Sequence, residues 1–233
     1  GINEQLLDLA EKESLINIEF EQRLIDVDFN SASASFSHEH AINKVSGDIL
    51  FGADGAYSKV RRLAQETPRF SYSQSYMPQS YIELHIPANA DGSFKMDKDA
   101  LHIWPRKDFM LIALPNPDGT FTCTLFLDFQ GEVSFSSLTQ RSDVSEFFQQ
   151  NFADAMSLLE NPVDEFMEKT ANPLSLVSVD PWVINNKVAL IGDAAHAMVP
   201  FFGQGMNCGF EDCRVLGELI SQYSNDWTQI FPA

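Results

Sequence analysis

The segment from Val188 to Asn207 carries the residues whose types and spacing are best suited to hold a ligand. An apolar run ends in Gly192-Asp193, and a carboxylate at the carboxyl end of a strand can accept hydrogen bonds from sugar or ribitol hydroxyls. Gly203-Gln204-Gly205 then allows close approach of the backbone, and a helix starting there would offer unpaired N–H groups and a positive dipole end. This pattern predicts a site for an anion or an electron-rich ring edge. A strand–turn–helix unit without a ligand is the competing interpretation.

A second motif of similar layout lies about 140 residues earlier. The run GDILFGADG at 47–55 is bounded by glycine at both ends, and SKVRRLAQ follows it. This order predicts a strand, a tight turn at Asp54-Gly55 and a short basic helix.

The elements that position these motifs follow from the periodicity of the apolar residues. Before the run at 47–55 we predict a helix at 3–13, strands at 15–20 and 23–29, and a polar loop at 31–40. Between about residues 70 and 130, the runs YIELHI, LHIWP, FMLIALP and FTCTLFL are separated by turn residues and predict a four-stranded antiparallel sheet.

Helical patterns, DVSEFFQQNFADAMSLLE and VDEFMEKT, come after this sheet. The run SLVSVDPW predicts a strand, and KVALIGD predicts another that leads through the glycine turn into a final helix ending near Tyr223. The expected architecture is therefore α/β with an inserted antiparallel sheet.

Composition limits the class of protein. The 233 residues include 15 Lys and Arg against 33 Asp and Glu, and the formal net charge of −18 repels nucleic acid and anionic lipid surfaces. No apolar run approaches the roughly 20 residues of a membrane-spanning helix. Cys123, Cys208 and Cys213 include no C-x-x-C pair, so we expect neither a disulfide framework nor a zinc site, and an intracellular protein with reduced thiols.

The string GDAAHAMVPFFGQGMNCGFEDC resembles the second FAD-binding motif of the class A flavoprotein aromatic hydroxylases. GADGAYSKVRR resembles their internal Asp-Gly motif, which is associated with flavin and pyridine nucleotide. Within that superfamily, PRFSYSQSYMP, LHIWPR, FMLIALPN, FTCTLFL and VPFFGQGMN are most similar to the kynurenine 3-monooxygenase family.

The resemblance implies a fold and a division into domains. It implies an FAD-binding Rossmann-like domain of the glutathione-reductase type with an inserted antiparallel β-sheet substrate domain. Residues 1–70 and 176–233 would belong to the FAD-binding domain, and residues 71–175 to the substrate domain.

The resemblance also implies an activity. NADPH would reduce FAD, O2 would add to the flavin, and the hydroperoxide would hydroxylate the ring of L-kynurenine to 3-hydroxykynurenine, a step of tryptophan degradation. It implies attachment to the mitochondrial outer membrane through a region absent from this chain.

The family's functional residues are assigned to this sequence only at positions where the motifs match. The implied cofactor-binding residues are Leu24 at the adenine end, Asp54 in the Asp-Gly turn, Asp193 at the ribitol or a phosphate, and Gly205, Met206 and Asn207 at the pyrimidine edge of the flavin. The implied substrate-binding residues are Leu101, Phe126, Pro200, Phe201 and Gln204, with His102 as a further candidate beside Leu101. Ordinary sheet packing explains Phe126 equally well, because alternation turns half of any strand inward.

Several residues receive no catalytic or metal role. Hydroxyl transfer to an activated ring requires no general base, so we expect His196 to pack or cap and we assign no catalytic side chain. His38 and His40 have no third ligand nearby, so no metal site is expected. Arg61 and Arg62 could meet an NADPH phosphate, although a solvated helix face is the preferred interpretation.

The family's opening G-x-G-x-x-G is absent, as are its anchors for the substrate carboxylate, so we expect a fragment of a longer enzyme. Two alternatives stay open. The enzyme could act on another phenolic or aromatic acid, or this chain could be a non-catalytic flavin-binding fragment.

Overall fold

A computed structural model describes residues 1–39 and 41–233, so His40 lies outside the described residues. The chain divides into two compact units, one formed by Gly1–Ser73 and Val177–Ala233 and the other by Gln74–Leu176. The sequence predicts boundaries after residue 70 and before residue 176.

Eight α-helices and eleven strands form within the described residues. The helices are α1 (Ile2–Ala10), α2 (Lys59–Ala64), α3 (Arg141–Asn151), α4 (Ala153–Met156), α5 (Pro162–Glu168), α6 (Asp193–His196), α7 (Gly205–Tyr223) and α8 (Trp227–Ile230). The strands are β1 (Arg23–Asp28), β2 (Ser33–His38), β3 (Ala41–Ser46), β4 (Leu50–Gly52), β5 (Ser71–Ile86), β6 (His102–Arg106), β7 (Phe109–Pro115), β8 (Phe121–Asp128), β9 (Asn172–Asp180), β10 (Val183–Ile184) and β11 (Val188–Leu190).

The first unit contains two small sheets. Strands β1, β2 and β3 form an antiparallel meander, whereas β4 pairs in parallel with β11, which pairs antiparallel with β10. Gly52 makes close packing of β4 possible, since a Cβ there would lie 2.8 Å from Leu190 and 3.0 Å from Val60. Strands β4 and β11, which lead into the two turn motifs, therefore end side by side.

Two expectations for the first unit are wrong. Residues 15–20 form no strand, and Leu15 is 99% exposed, because alternation stabilises a strand only where a partner strand and a packed face exist. The Ser-rich segment predicted as a loop instead contains β2, where Ala34 is buried and the strand is paired on both sides. Pairing outweighs the weak strand preference of its small residues.

The second unit confirms the predicted antiparallel strands. Its sheet has the order β6-β7-β8-β5-β9. The run SLVSVDPW overlaps β9 and so confirms a predicted strand, but the sequence did not predict its place as the fifth strand of this sheet. Helices α3, α4 and α5 cover one face, where Phe121, Phe148 and Phe152 are fully buried. Burial raises the pKa of the Cys123 thiol on this face to about 12. The opposite face carries Phe126.

Candidate functional site

Asp193 lies at the start of α6, directly after the parallel strand β11. Gly192 before it has φ 58° and ψ −144°, a backbone conformation that favours glycine. Asp193 is exposed, and its carboxylate accepts no hydrogen bond from any residue in the described part of the chain. It is therefore available to accept hydrogen bonds from a ligand.

The first turn of α7 lies beside this carboxylate. A Cβ on Gly205 would lie 3.9 Å from Asp193 Oδ1. Among the described residues, the N–H groups of Gly205, Met206 and Asn207 have no partner, and the first to be bonded is that of Cys208, 3.0 Å from the Gln204 carbonyl. Unpaired N–H groups at the start of a 19-residue helix concentrate positive potential there.

The turn before α7 presents the other predicted residues of this segment. Pro200 and Phe201 are half-buried and belong to a single 3₁₀ turn that ends at Gly203, φ 63°. The amide of Gln204 is held locally, donating to the Phe202 carbonyl at 2.9 Å and accepting from Asn207 Nδ2 at 2.9 Å. The structure thus groups Pro200, Phe201 and Gln204 next to the free N–H groups.

Leu24 and Asp54 line one cleft of about 750 Å³. Strands β1 and β2 form one wall, and the Asp-Gly turn and α2 form the other. Three cations, Arg23, Lys59 and Arg62, also line the cleft, and none forms a salt bridge within the described residues. In a chain of net charge −18, this cleft therefore suits an anionic ligand.

The carboxylate of Asp54 is engaged within its own turn. It accepts from Ser58 Oγ at 2.5 Å, from the Lys59 N–H at 2.6 Å and from the Val60 N–H at 3.1 Å. These bonds hold the start of α2, as a capping carboxylate does. Asp54 shapes the cleft and keeps little capacity for a ligand.

Arg61 is a residue whose place the sequence did not reveal. It is 3% exposed, so a solvated helix face is the wrong interpretation for it. Its guanidinium donates to the Ala56 carbonyl at 2.5 Å and to the Ala194 carbonyl at 2.8 Å. Arg61 therefore joins the Asp-Gly turn to α6.

Asp212 and Trp182 were also missed, and they explain His196. The His196 Nε2 lies 2.7 Å from Asp212 Oδ2, and the centre of its ring lies 4.9 Å from that of Trp182. His196 is held by packing and one hydrogen bond, in agreement with the expectation that it packs or caps. The only signal for Asp212 in the sequence was its place as the last residue but one of the string that resembles a flavin motif.

In the second unit, Leu101 lies just before β6 and is not a neighbour of Phe126. Phe126 is paired with Met110 and Met110 with Pro105, four residues along from Leu101. At about 3.3 Å per residue, this separates their rows by about 13 Å. Phe126 is 2% exposed and Leu101 37%.

His102 belongs to the other face. Its ring packs edge-on against buried Phe121, and its Nε2 lies 2.8 Å from the Asp97 carbonyl. Alternation within β6 separates it from the face that carries Phe126. His102 is therefore not part of a wall with Phe126.

Tyr81 is a candidate that the sequence analysis passed over. It is paired across the sheet with Phe126, and the two ring centres are 6.1 Å apart. Burial, and then the charge of Glu83, raise the pKa of its phenol. The alternation of YIELHI was the signal that could have found it.

No group of three metal-ligating side chains lies together in the described part of the chain. The six predicted cofactor residues all belong to the first unit, while the predicted substrate residues are divided between the units. Within residues 1–39 and 41–233, no helix is both long and apolar enough to cross a bilayer.

Comparisons with known proteins agree with this geometry. A family model described as "FAD binding domain" matches residues 2–229. A kynurenine 3-monooxygenase of Flavobacterium psychrophilum is 47% identical over 232 residues, covering 99% of this chain and 52% of that protein. One from Sus scrofa is 41% identical over 235 residues, covering 100% of this chain and 49% of the relative. The chain thus spans about half the length of these bacterial and eukaryotic relatives.

Solved structures show the same fold at low identity. The tetrameric form of 2-methyl-3-hydroxypyridine-5-carboxylic acid oxygenase matches with a TM-score of 0.72 and 19% identity, over 99% of this chain and 58% of that one. Klebsiella pneumoniae HpxO, solved with FAD and uric acid, matches with a TM-score of 0.67 and 21% identity, over 99% and 56% respectively.

Proposed function

This chain belongs to the FAD-binding domain family, and we propose that it is part of an FAD- and NADPH-dependent monooxygenase that hydroxylates L-kynurenine to 3-hydroxykynurenine. The observation that supports L-kynurenine as the substrate is the 47% identity to a kynurenine 3-monooxygenase along 99% of this chain. The balance is one O2 and two electrons from NADPH, with one oxygen entering the ring and the other leaving as water.

The donor and acceptor set of the first unit fits FAD. The free Asp193 carboxylate suits ribityl hydroxyls, and the cleft with Arg23, Lys59 and Arg62 suits the phosphates and adenosine. Because Asp54 is engaged in capping, we propose that it holds the shape of this cleft. Leu24 would contact the adenine end through its backbone.

When bound, FAD would supply the redox and oxygen chemistry. The chain's own contribution is to bind, orient and exclude water. We propose that the N–H groups of Gly205, Met206 and Asn207 face the pyrimidine edge, where their positive potential favours negative charge on the reduced ring.

We propose that the substrate ring is positioned by Pro200, Phe201 and Gln204 on the turn before α7. On the resemblance alone, we also propose Leu101 and Phe126 of the second unit as substrate-contacting residues. Phe126 is buried, and the centre of the Tyr81 ring lies 6.1 Å from that of its ring. Apolar side chains with a single polar amide beside them suit an aromatic amino acid.

The test uses the intact purified protein. We expect a yellow protein with bound FAD, NADPH oxidation that accelerates with L-kynurenine, and a product one oxygen atom heavier. A colourless protein that cannot be reconstituted with FAD would contradict the proposal. Stimulation by another phenolic or aromatic acid, but not by L-kynurenine, would contradict the substrate alone.

A further inference from the structure

Helix α7 contacts the turn around Asp193 along one row of residues. Gly205, Gly209 and Asp212 are spaced i, i+4 and i+7, so they follow one another along one face of the helix. A Cβ on Gly205 would lie 3.9 Å from Asp193 Oδ1, and one on Gly209 would lie 3.9 Å from Gly192 Cα. The two glycines allow the helix backbone to lie directly against the turn.

Asp212 is the last residue of this row, and one of its carboxylate oxygens takes part in two hydrogen bonds. Its Oδ2 accepts from the Gly192 N–H at 2.7 Å and lies 2.7 Å from His196 Nε2. Since a carboxylate oxygen only accepts, Nε2 carries the proton. The Asp212 side chain is 14% exposed and that of His196 21%, so water competes little for these bonds.

These two hydrogen bonds hold residues on both sides of Asp193 in the sequence. One holds the N–H of the residue before it, and the other holds the side chain of the last residue of α6. The exposed Asp193 carboxylate has no hydrogen bond of its own among the described residues, so its direction depends on the backbone that Asp212 holds. Small displacements of a binding group cost much of its contribution.

We propose that Asp212 is the positioning residue that aims the Asp193 carboxylate at the flavin. This inference rests on the proposed function, because it assigns Asp193 to FAD. It places Asp212 behind the site, acting through the backbone of Gly192 and the ring of His196, with no contact of its own to the cofactor.

The main test is a double-mutant cycle on FAD affinity in the intact protein, using D212A, D193A and D212A/D193A. We expect D212A to weaken FAD binding about tenfold, and D193A to add less than about twofold in that background, since coupled residues are not additive. If D193A costs the same factor in both backgrounds, or D212A binds FAD normally, the inference is overturned.

The conservative variant D212N separates position from charge. An amide oxygen can accept both hydrogen bonds at the Oδ2 position, so we expect D212N to stay within about threefold of the wild-type FAD affinity. Affinity as weak as that of D212A would mean that charge matters instead, against the inference. E211A, one residue away on the same helix and exposed, should leave FAD affinity unchanged.

A readout without ligand separates this inference from the proposed function. Hydrogen exchange of the Gly192 amide should be faster in D212A than in wild type and should be restored in D212N. Unchanged exchange in a folded D212A would overturn the inference, and if D212A does not fold, D212N decides it. A wild-type protein that binds no FAD would contradict the proposed function. Hydrogen exchange of the Gly192 amide would still test whether Asp212 holds that N–H group.

Discussion

Single carboxylates in this chain differ in whether their hydrogen-bonding capacity is already used. Asp54 and Asp193 both follow a strand of the parallel pair, yet Asp54 accepts three hydrogen bonds from its own turn. Asp193 accepts none within the described residues and lies beside free N–H groups. A ligand can gain from the second carboxylate far more than from the first.

Replacing Asp193 with Ala should weaken FAD binding by about 1–3 kcal/mol, because ligand hydroxyls would lose their charged acceptor. Equilibrium titration of the apoprotein with FAD measures this. D143A is a matched control, since Asp143 is also an exposed acidic residue in the first turn of a helix. An unchanged FAD affinity in D193A would remove Asp193 from the site.

Phe201 and Phe202 are adjacent rings that differ in burial. Phe201 is half-buried, and Phe202 is 71% exposed. We expect F201A to raise the KM for L-kynurenine or to uncouple NADPH oxidation from hydroxylation, because the ring would lose an apolar wall. Product formed per NADPH consumed measures the coupling, and F202A is the matched control. Normal coupling and KM in F201A would mean that Phe201 only packs.

At the scale of elements, the Asp-Gly turn and α6 are joined by one buried side chain. Arg61, on α2, donates to carbonyls of the Asp-Gly turn and of α6, and its guanidinium lies 5.6 Å from the centre of the Tyr72 ring. The short helix α2 thereby fixes the distance between the two turns.

Replacing Arg61 with Met keeps the apolar stem but leaves buried carbonyl oxygens without donors. The free energy of unfolding should fall by at least about 1–3 kcal/mol. Urea unfolding of the ligand-free protein measures it, with R62M as control, because Arg62 is the exposed neighbour on the same helix. Equal unfolding midpoints for R61M and R62M would contradict this role of Arg61.

At the scale of the whole molecule, acidic residues dominate the charge and several of them hold turns. Hydrogen bonds from Ser93 and Thr120 lower the pKa of Asp91 and Asp118 below the ordinary value of 3.8, and those from Thr228 and Gln229 lower that of Asp226. A lowered folded-state pKa contributes stability above the unfolded pKa, and this contribution is lost as pH falls through the folded value.

We therefore expect stability to decline as pH falls below about 3.8. The triple variant D91N/D118N/D226N should decline less steeply than wild type, because its turns keep an acceptor that does not titrate. Urea midpoints between pH 5 and pH 2.5 measure the difference.

The control for this experiment removes the same charge elsewhere. D8N/D26N/D99N replaces three exposed aspartates whose carboxylates accept no hydrogen bond in the described part of the chain. If the urea midpoint depends equally weakly on pH in both triple variants, the effect comes from net charge and not from the turns.

Most elements of the fold could be predicted from local pattern. The runs FMLIALP and FTCTLFL form β7 and β8, and α7 ends at Tyr223 as predicted, because alternation and helical periodicity record which face of an element is buried. The short helix α8, which follows α7, is not predicted by the pattern. The pattern failed at 15–20 and at 33–38, where the absence or presence of a partner strand decided the outcome.

The amino-acid sequence by itself determined the two turn motifs, their order and the residues that could meet a cofactor, since turn chemistry and periodicity act over a few neighbouring residues. Only the tertiary structure decided that Asp54 is engaged, that Arg61 is buried and that Asp212 holds Gly192. The Arg61 side chain meets a carbonyl 133 residues away, and Asp212 meets an N–H 20 residues away. Partners so distant along the chain are chosen by the packing of α2 and α7 against the strand ends, which no local pattern records.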